Sequence, residues 1–289
     1  MNQTVAVVGA NGFIGRNSVL DLRNHSIDVL PLGSDSADLL KQASFWEQSM
    51  VSTVVWCASR ITPSVAASNP KMTECEILDF EKFLDASQGL VQKIIFASSG
   101  GTVYSSNMAP FREVDESQGV NVYGRAKKAM EEMLQNSSTP SIILRIANAY
   151  GPGQRTDRGQ GVIASWIRAI AEHGAIHVFG SLNVIRDFIF IDDLVRAIRM
   201  ASDYQGDSDI FNIGSGQGVT LHDVAELLKL TTDAEFEMTF DPDRGIDRPA
   251  FWLDTSHART NLGWAPEISL SEGLKRTWNA EAKLLEARK

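Results

Sequence analysis

A tyrosine and a lysine stand four residues apart in Tyr123-Gly124-Arg125-Ala126-Lys127. At that spacing both side chains share one face of a helix. A phenol ionises at about pH 10 in water and is a poor base at neutrality. An ammonium group one turn away stabilises the phenolate and lowers that value. Tyr123 and Lys127 together can therefore move a proton. A hydroxyl donor beside the reacting oxygen would complete such a site. The β-branched run Lys93–Ala97 ends in Ser98-Ser99-Gly100-Gly101-Thr102-Val103-Tyr104, which supplies the candidates.

A second fragment carries complementary chemistry. Gly9-Ala10-Asn11-Gly12-Phe13-Ile14-Gly15 lies between an apolar run, Val5–Val8, and a helix-like segment, Arg16–Arg23. Gly9 permits a tight turn, Gly12 lets a pyrophosphate approach the backbone, and Gly15 lets helix and strand pack closely. Free N–H groups and the positive end of the helix dipole favour phosphate there. The spacing is one residue longer than the usual dinucleotide fingerprint. With Tyr123 and Lys127 it predicts a dinucleotide held beside a proton-transferring phenol.

The choice between NAD and NADP rests on the second strand, which ends Leu32-Gly33-Ser34-Asp35. An acid there binds the ribose 2′-hydroxyl in NAD enzymes, but Gly33 occupies that position. Asp35 can serve the hydroxyl from one turn later and Ser34 can serve a 2′-phosphate, so NAD is preferred and NADP stays open. In Asp38-Leu39, Asp38 is either an acceptor for the adenine amino group or a loop acid or helix cap.

These fragments need a frame. Apolar strands are expected at Val5–Val8, Ile27–Leu32, Val51–Cys57, Lys93–Ala97 and Ser141–Ile146. Helices are expected between them at Phe13–Arg23, Leu40–Met50, Lys71–Ser87 and Tyr123–Gln135. Such alternation predicts an α/β fold, a Rossmann-type doubly wound parallel sheet with its ligand across the carboxyl ends of the strands. Beyond Gly151-Pro152-Gly153 the pattern changes. We expect a dinucleotide-binding domain over residues 1–150, with 183–206 returning to it. A smaller substrate-binding lobe is expected from 151–182 and 207–289. Thr220 should cap a helix.

With 289 residues, 43% hydrophobic and 22% charged, the chain has ordinary globular composition. Its net charge of −9 argues against general nucleic-acid binding. No apolar run approaches the roughly 20 residues of a membrane span, and the chain reads as a soluble cytoplasmic protein. Cys57 reads as a buried small hydrophobe, and no disulfide with Cys75 is expected. The five histidines show no metal-ligand spacing, so no metal site is expected.

The whole chain resembles the extended short-chain dehydrogenase/reductases, the NAD-dependent epimerase/dehydratase family. The resemblance is carried by the glycine turn, Ser98-Ser99 with Val103-Tyr104, Tyr123-x-x-x-Lys127, Asn148 with Tyr150-Gly151-Pro152, and Arg186-Asp187-Phe188-Ile189-Phe190-Ile191-Asp192-Asp193. It implies Tyr123 as acid/base, with Lys127 as its partner and as a ligand of the nicotinamide ribose. Ser99 matches the hydroxyl donor when counted from the strand end. Counted back from Val103-Tyr104 that position is Gly100, so Thr102 is the second candidate. The resemblance implies a cofactor site from Gly9, Asn11, Gly12, Phe13, Ile14, Gly15, Ser34, Asp38, Leu39, Ala58 and Ser59. For a nucleotide-diphosphate sugar it implies Asn148, Arg186 and Arg244 at the phosphates and Phe179 near the base. Two departures stand out: Trp56-Cys57-Ala58-Ser59 replaces a histidine-containing motif, and Thr73-Glu74-Cys75-Glu76 lacks the family's asparagine. Gly100-Gly101 replaces the acid pair of dehydratases. The expected activity is a nucleotide-sugar 4-epimerase using NAD through a 4-keto intermediate. A 4-keto-sugar-nucleotide reductase using NAD(P)H and a non-catalytic NAD(P) sensor are the alternatives. Resembling proteins often form homodimers.

Overall fold

The computed structural model describes residues 4–105, 108–157, 160–242 and 248–287. The strands are β1 (Thr4–Val8), β2 (Asp28–Leu32), β3 (Val51–Trp56), β4 (Lys93–Ser99), β5 (Ser141–Ile146), β6 (Asn148–Tyr150), β7 (Ala175–Phe179), β8 (Ile185–Arg186), β9 (Phe188–Phe190), β10 (Asp209–Ile213), β11 (Val219–Thr220) and β12 (Glu237–Asp241). The α-helices are α1 (Phe13–Asn24), α2 (Ala43–Ser49), α3 (Pro63–Ser68), α4 (Pro70–Ser87), α5 (Gly100–Val103), α6 (Val122–Gln135), α7 (Val162–His173), α8 (Ile191–Asp203), α9 (Leu221–Thr232) and α10 (Leu270–Glu286).

Six strands form one parallel sheet in the order β10-β5-β4-β3-β1-β2. Side chains alternate across it, and both faces are covered. Val5, Val7, Val55, Ile95 and Ile142 pack toward α1 and α8. Ala6, Val8, Val54, Trp56, Ile94 and Phe96 pack toward α4 and α6, against Phe80, Phe83, Met130 and Leu134. Burial on both faces explains why the strands are continuous apolar runs.

The chain winds one way from β1 to β2 and the other way from β1 through β3, β4 and β5. The order reverses at β1/β3, where open α/β sheets form a crevice beyond the carboxyl ends of the strands. Gly9 and Ala58 stand there, and so does the backbone closeness that joins them: a Cβ on Gly9 would come 2.6 Å from the Ala58 nitrogen.

The sixth strand differs from expectation. It is β10, which pairs with β5, so Asp209–Ile213 belongs to the sheet rather than to the lobe. The Val184–Phe190 segment, part of the 183–206 stretch expected to return to the dinucleotide-binding domain, splits into two short strands. β8 pairs with β11 and β9 pairs with β6, both outside the six-stranded sheet. Helix α8 packs against α1. Thr220 caps α9 in a reciprocal capping box with Asp223. Among the described residues, no helix is long and apolar enough to cross a membrane, and no cluster of three His, Cys, Asp or Glu could hold a metal ion. Cys57 and Cys75 are both free thiols.

Candidate active site

The hydroxyl turn and the tyrosine helix are built against each other. β4 ends at Ser99 and the chain turns at once into the short helix α5. Thr102 Oγ1 donates to Ser99 Oγ at 2.9 Å, so the two candidate donors form one chain. The segment leading to α6 then pairs with the turn, with Val120 N donating to Thr102 O at 2.9 Å and Gly119 N to Val103 O at 2.8 Å. Gly124 closes the approach: a Cβ there would lie 2.0 Å from Thr102 O. A side chain at 124 would push Tyr123 away from the serine turn. Asn121 caps α6 by accepting from Gly124 N at 2.8 Å, fixing the first turn that carries Tyr123.

Tyr123 and Lys127 share one face of α6, and Lys127 Nζ lies 5.8 Å from the phenol ring centroid. The ammonium is buried, with 3% exposure. It donates to Ala97 O at 3.4 Å and sits 5.0 Å from the Phe96 ring. The electrostatics differ from the simple expectation. Loss of solvent pushes the Tyr123 phenol above its ordinary range, and the Glu76 carboxylate adds to that rise. Burial also lowers Lys127, opposed by Glu76, Cys57 and Glu131. At the phenol, burial is the larger cause and Glu76 the smaller.

Glu76 carries no role in the motif reading. It is 5% exposed on α4 and accepts from Ser59 Oγ at 2.7 Å, Arg60 N at 2.7 Å and Ile61 N at 3.2 Å. Its signal in the sequence is a carboxylate on the buried stripe of α4, in register with Thr73, Phe80 and Phe83. One turn beyond Lys127, Glu131 pairs with fully buried Arg145 at 2.7 Å and accepts from Ser98 Oγ at 2.5 Å. This pair anchors α6 to β4 and β5 directly behind the serine turn.

At the glycine turn, Gly9 has φ +87°, in the left-handed region. A Cβ on Gly15 would lie 2.2 Å from Gly9 O, whereas one on Gly12 would meet only Gly9 O at 3.1 Å. No side chain caps α1. The N–H groups of Phe13, Ile14 and Gly15 therefore remain to bind an anion. Toward the second strand, Gly33 leaves room for Asn11, whose Nδ2 would lie 2.6 Å from a Cβ there. Ser34 and Asp35 begin the turn after β2. Asp38 projects into solvent and pairs with Lys41 at 3.6 Å, and its side chain caps no helix. Leu39 beside it is 43% exposed.

The other wall brings Asn148 and Arg186 together across β6 and the β8–β9 segment. Asn148 Nδ2 donates to Asp187 O at 2.8 Å. Arg186 Nη1 donates to Ile185 O and, at 2.7 Å, to Arg248 O. Between these residues, fully buried Asp187 accepts from Ser215 N at 2.7 Å, Ser215 Oγ at 2.6 Å, Gly216 N at 3.3 Å and Leu253 N at 3.1 Å. Burial still raises the Asp187 carboxyl above its ordinary range. Arg248, absent from the motif reading, lies over the Phe111 ring at 5.1 Å and donates to Tyr104 O. Burial and the neighbouring Arg186 guanidinium lower it. Phe179 is 41% exposed at the end of β7, apart from the Ser99–Tyr123 cluster in the element order. Arg244 lies outside the described residues.

A glycine turn at a sheet switch point, facing a Ser/Tyr/Lys cluster, defines a Rossmann-type short-chain dehydrogenase/reductase. The model of the NAD dependent epimerase/dehydratase family matches residues 5–214, and the chain belongs to that family. It is 31% identical to a dTDP-4-dehydro-6-deoxyglucose reductase of Escherichia coli, over 94% of this chain and 95% of that one. Among solved structures, it is similar to a UDP-glucose 4-epimerase of Thermotoga maritima with UDP-glucose, at 28% identity and a TM-score of 0.90, covering 98% of this chain and all (100%) of that one. It is also similar to MoeE5 in complex with UDP-glucose and NAD, at 26% identity and a TM-score of 0.88, covering 98% and 99%.

Proposed function

We propose that this protein is a nucleotide-sugar 4-epimerase that works through a 4-keto intermediate and regenerates its NAD in each turnover. The observation that carries the reading is the whole-chain likeness to the UDP-glucose-bound epimerase, with a TM-score of 0.90. The glycine turn suits a dinucleotide, because the uncapped first turn of α1 offers backbone N–H groups and Gly12 leaves the approach open. NAD, when bound, supplies reversible hydride exchange at C4 and a positively charged ring beside the phenol.

The chain's own residues do the rest. Tyr123 takes the proton from the sugar C4 oxygen and returns it. Lys127 favours the phenolate and holds the nicotinamide ribose. Ser99 donates a hydrogen bond to the same sugar oxygen, and Thr102 orients Ser99. In this reading Asn148, Arg186 and Arg244 hold the diphosphate, with planar guanidinium groups suited to its oxygens. Phe179 faces the base, and the segments 151–182 and 214–289 form the substrate-binding lobe. Asn11, Phe13, Ile14, Ser34, Asp38, Leu39, Ala58 and Ser59 line the cofactor.

The 31% identity to a dTDP-sugar reductase over the full length favours a second reading, net reduction of a 4-keto sugar nucleotide by NAD(P)H. A panel of UDP- and dTDP-sugars separates the two. Interconversion of C4 epimers with no net change in cofactor supports the epimerase. Stoichiometric consumption of NADPH or NADH by a 4-keto sugar nucleotide, without epimerisation, overturns it.

A further inference from the structure

The acid/base pair has a buried counter-charge that its motif does not include. Glu76 on α4 acts electrostatically on both members, and three hydrogen bonds from Ser59, Arg60 and Ile61 hold its carboxylate in place. Ile61 packs in one apolar cluster with Tyr123 and Ala126, so the loop bound by Glu76 lies directly on the α6 face carrying the phenol. The Arg60 guanidinium points elsewhere, to Asp79, which also pairs with Lys41 at 2.9 Å. Beside the pair, Lys128 lies 4.0 Å from the Glu131 carboxylate. Glu131 is neutralised by Arg145 at 2.7 Å, Cys57 is held as a thiol because burial pushes it up to about 12, and α3 and α5 contain no charged residue. Among the described residues Glu76 forms no ion pair, and the buried cation it acts on is Lys127.

We propose that Glu76 is a positioning residue whose fixed negative charge sets the pH range over which Tyr123 and Lys127 exchange a proton, while its hydrogen bonds hold the Ser59–Ile61 loop beside the cofactor. The inference rests on the acid/base reading of Tyr123 and Lys127. A carboxylate disfavours the phenolate and favours the ammonium, so its removal lets both groups lose protons more readily. Both limbs of the rate profile then move to lower pH. The substitution Glu76→Gln suits the test because it preserves shape: its carbonyl can accept from Arg60 N and Ile61 N while its NH2 donates to Ser59 Oγ.

The experiment measures kcat/KM and KM across pH for the NAD-loaded wild type, Glu76→Gln and Glu76→Asp, with a nucleotide sugar turned over by the wild type. For Glu76→Gln the acidic limb should move down by about one pH unit, roughly a tenfold gain below the limb. Glu76→Asp, which draws the carboxylate back by one methylene, should move it the same way by less, and it serves where the Gln variant does not fold. A Gln or Asp profile that superimposes on wild type, with only KM or melting temperature changed, overturns the proposal. Full turnover by Tyr123→Phe would instead sink the acid/base reading on which it rests.

Discussion

Thr102 Oγ1 donates to Ser99 Oγ at 2.9 Å, so the hydroxyl at the strand end is oriented by the hydroxyl one turn later. If Ser99 is the donor proposed above, Thr102 acts through it rather than in its place. Ser99→Ala should lower kcat by about 10²–10³-fold with KM little changed, as for loss of one donor to a developing oxyanion. Thr102→Val, which acts through Ser99, should cost roughly tenfold, the worth of one hydrogen bond. Steady-state kinetics of both variants provide the check. A Thr102→Val loss equal to that of Ser99→Ala would make Thr102 the direct donor.

The three glycines of the turn should separate under substitution. Gly15→Ala drives a methyl group into Gly9 O at 2.2 Å, backbone against backbone, and should destabilise the fold by about 2 kcal/mol or more. Gly12→Ala meets one atom at 3.1 Å and should fold normally, yet bind NAD roughly tenfold more weakly or worse, about 1.4 kcal/mol. Thermal denaturation and cofactor titration distinguish the two outcomes.

Lys127 should show a trade of stability against activity. Burial lowers it from its ordinary 10.5 in the folded chain, so the folded state disfavours its charge. That deficit is fully present below the folded pKa and fades as pH rises toward 10.5, where the unfolded chain also loses the proton. Lys127→Met should therefore raise the melting temperature at neutral pH by about 2–4 °C, and the gain should shrink as pH approaches 10. The same variant should lose turnover by at least about 10²-fold. A Met variant that melts lower at neutral pH contradicts this.

The Arg145–Glu131 pair should behave as an anchor. Its partners are 1% and 0% exposed. Arg145→Met leaves the buried Glu131 carboxylate with only Ser98 and, at 4.0 Å, Lys128, and should cost about 3 kcal/mol. Arg145→Met with Glu131→Leu should recover most of that loss. Urea denaturation of the single and double variants measures the difference, and an equal loss in both would show that packing, not charge, dominates.

How far the sequence carried depended on where each signal was encoded. Five sheet strands and the Tyr123–Lys127 helix were legible, because double burial writes continuous apolar runs and a helix writes its own spacing. β10 was not, because Asp209–Ile213 follows the lobe-bound segment and only its pairing with β5 places it in the sheet. The order of Ser99 and Thr102 is ambiguous by counting, and the fold adds a feature that counting lacks: the two hydroxyls are bonded to each other. Spacing predicts that Lys127 lowers Tyr123, whereas burial and Glu76 raise it. That balance depends on what α4 brings near, and no local pattern on α6 contains it.

The carboxylate of Asp187 ties three distant stretches of chain into one knot, through Ser215, Gly216 and Leu253. For recombination between relatives this sets the unit of inheritance. A crossover anywhere between residues 187 and 253 would separate the arginine-bearing wall from the donors that seat it. On the proposed function, substrate preference should thus be exchangeable as a cassette, with junctions ahead of Asn148 and beyond Leu253, and should resist transfer loop by loop.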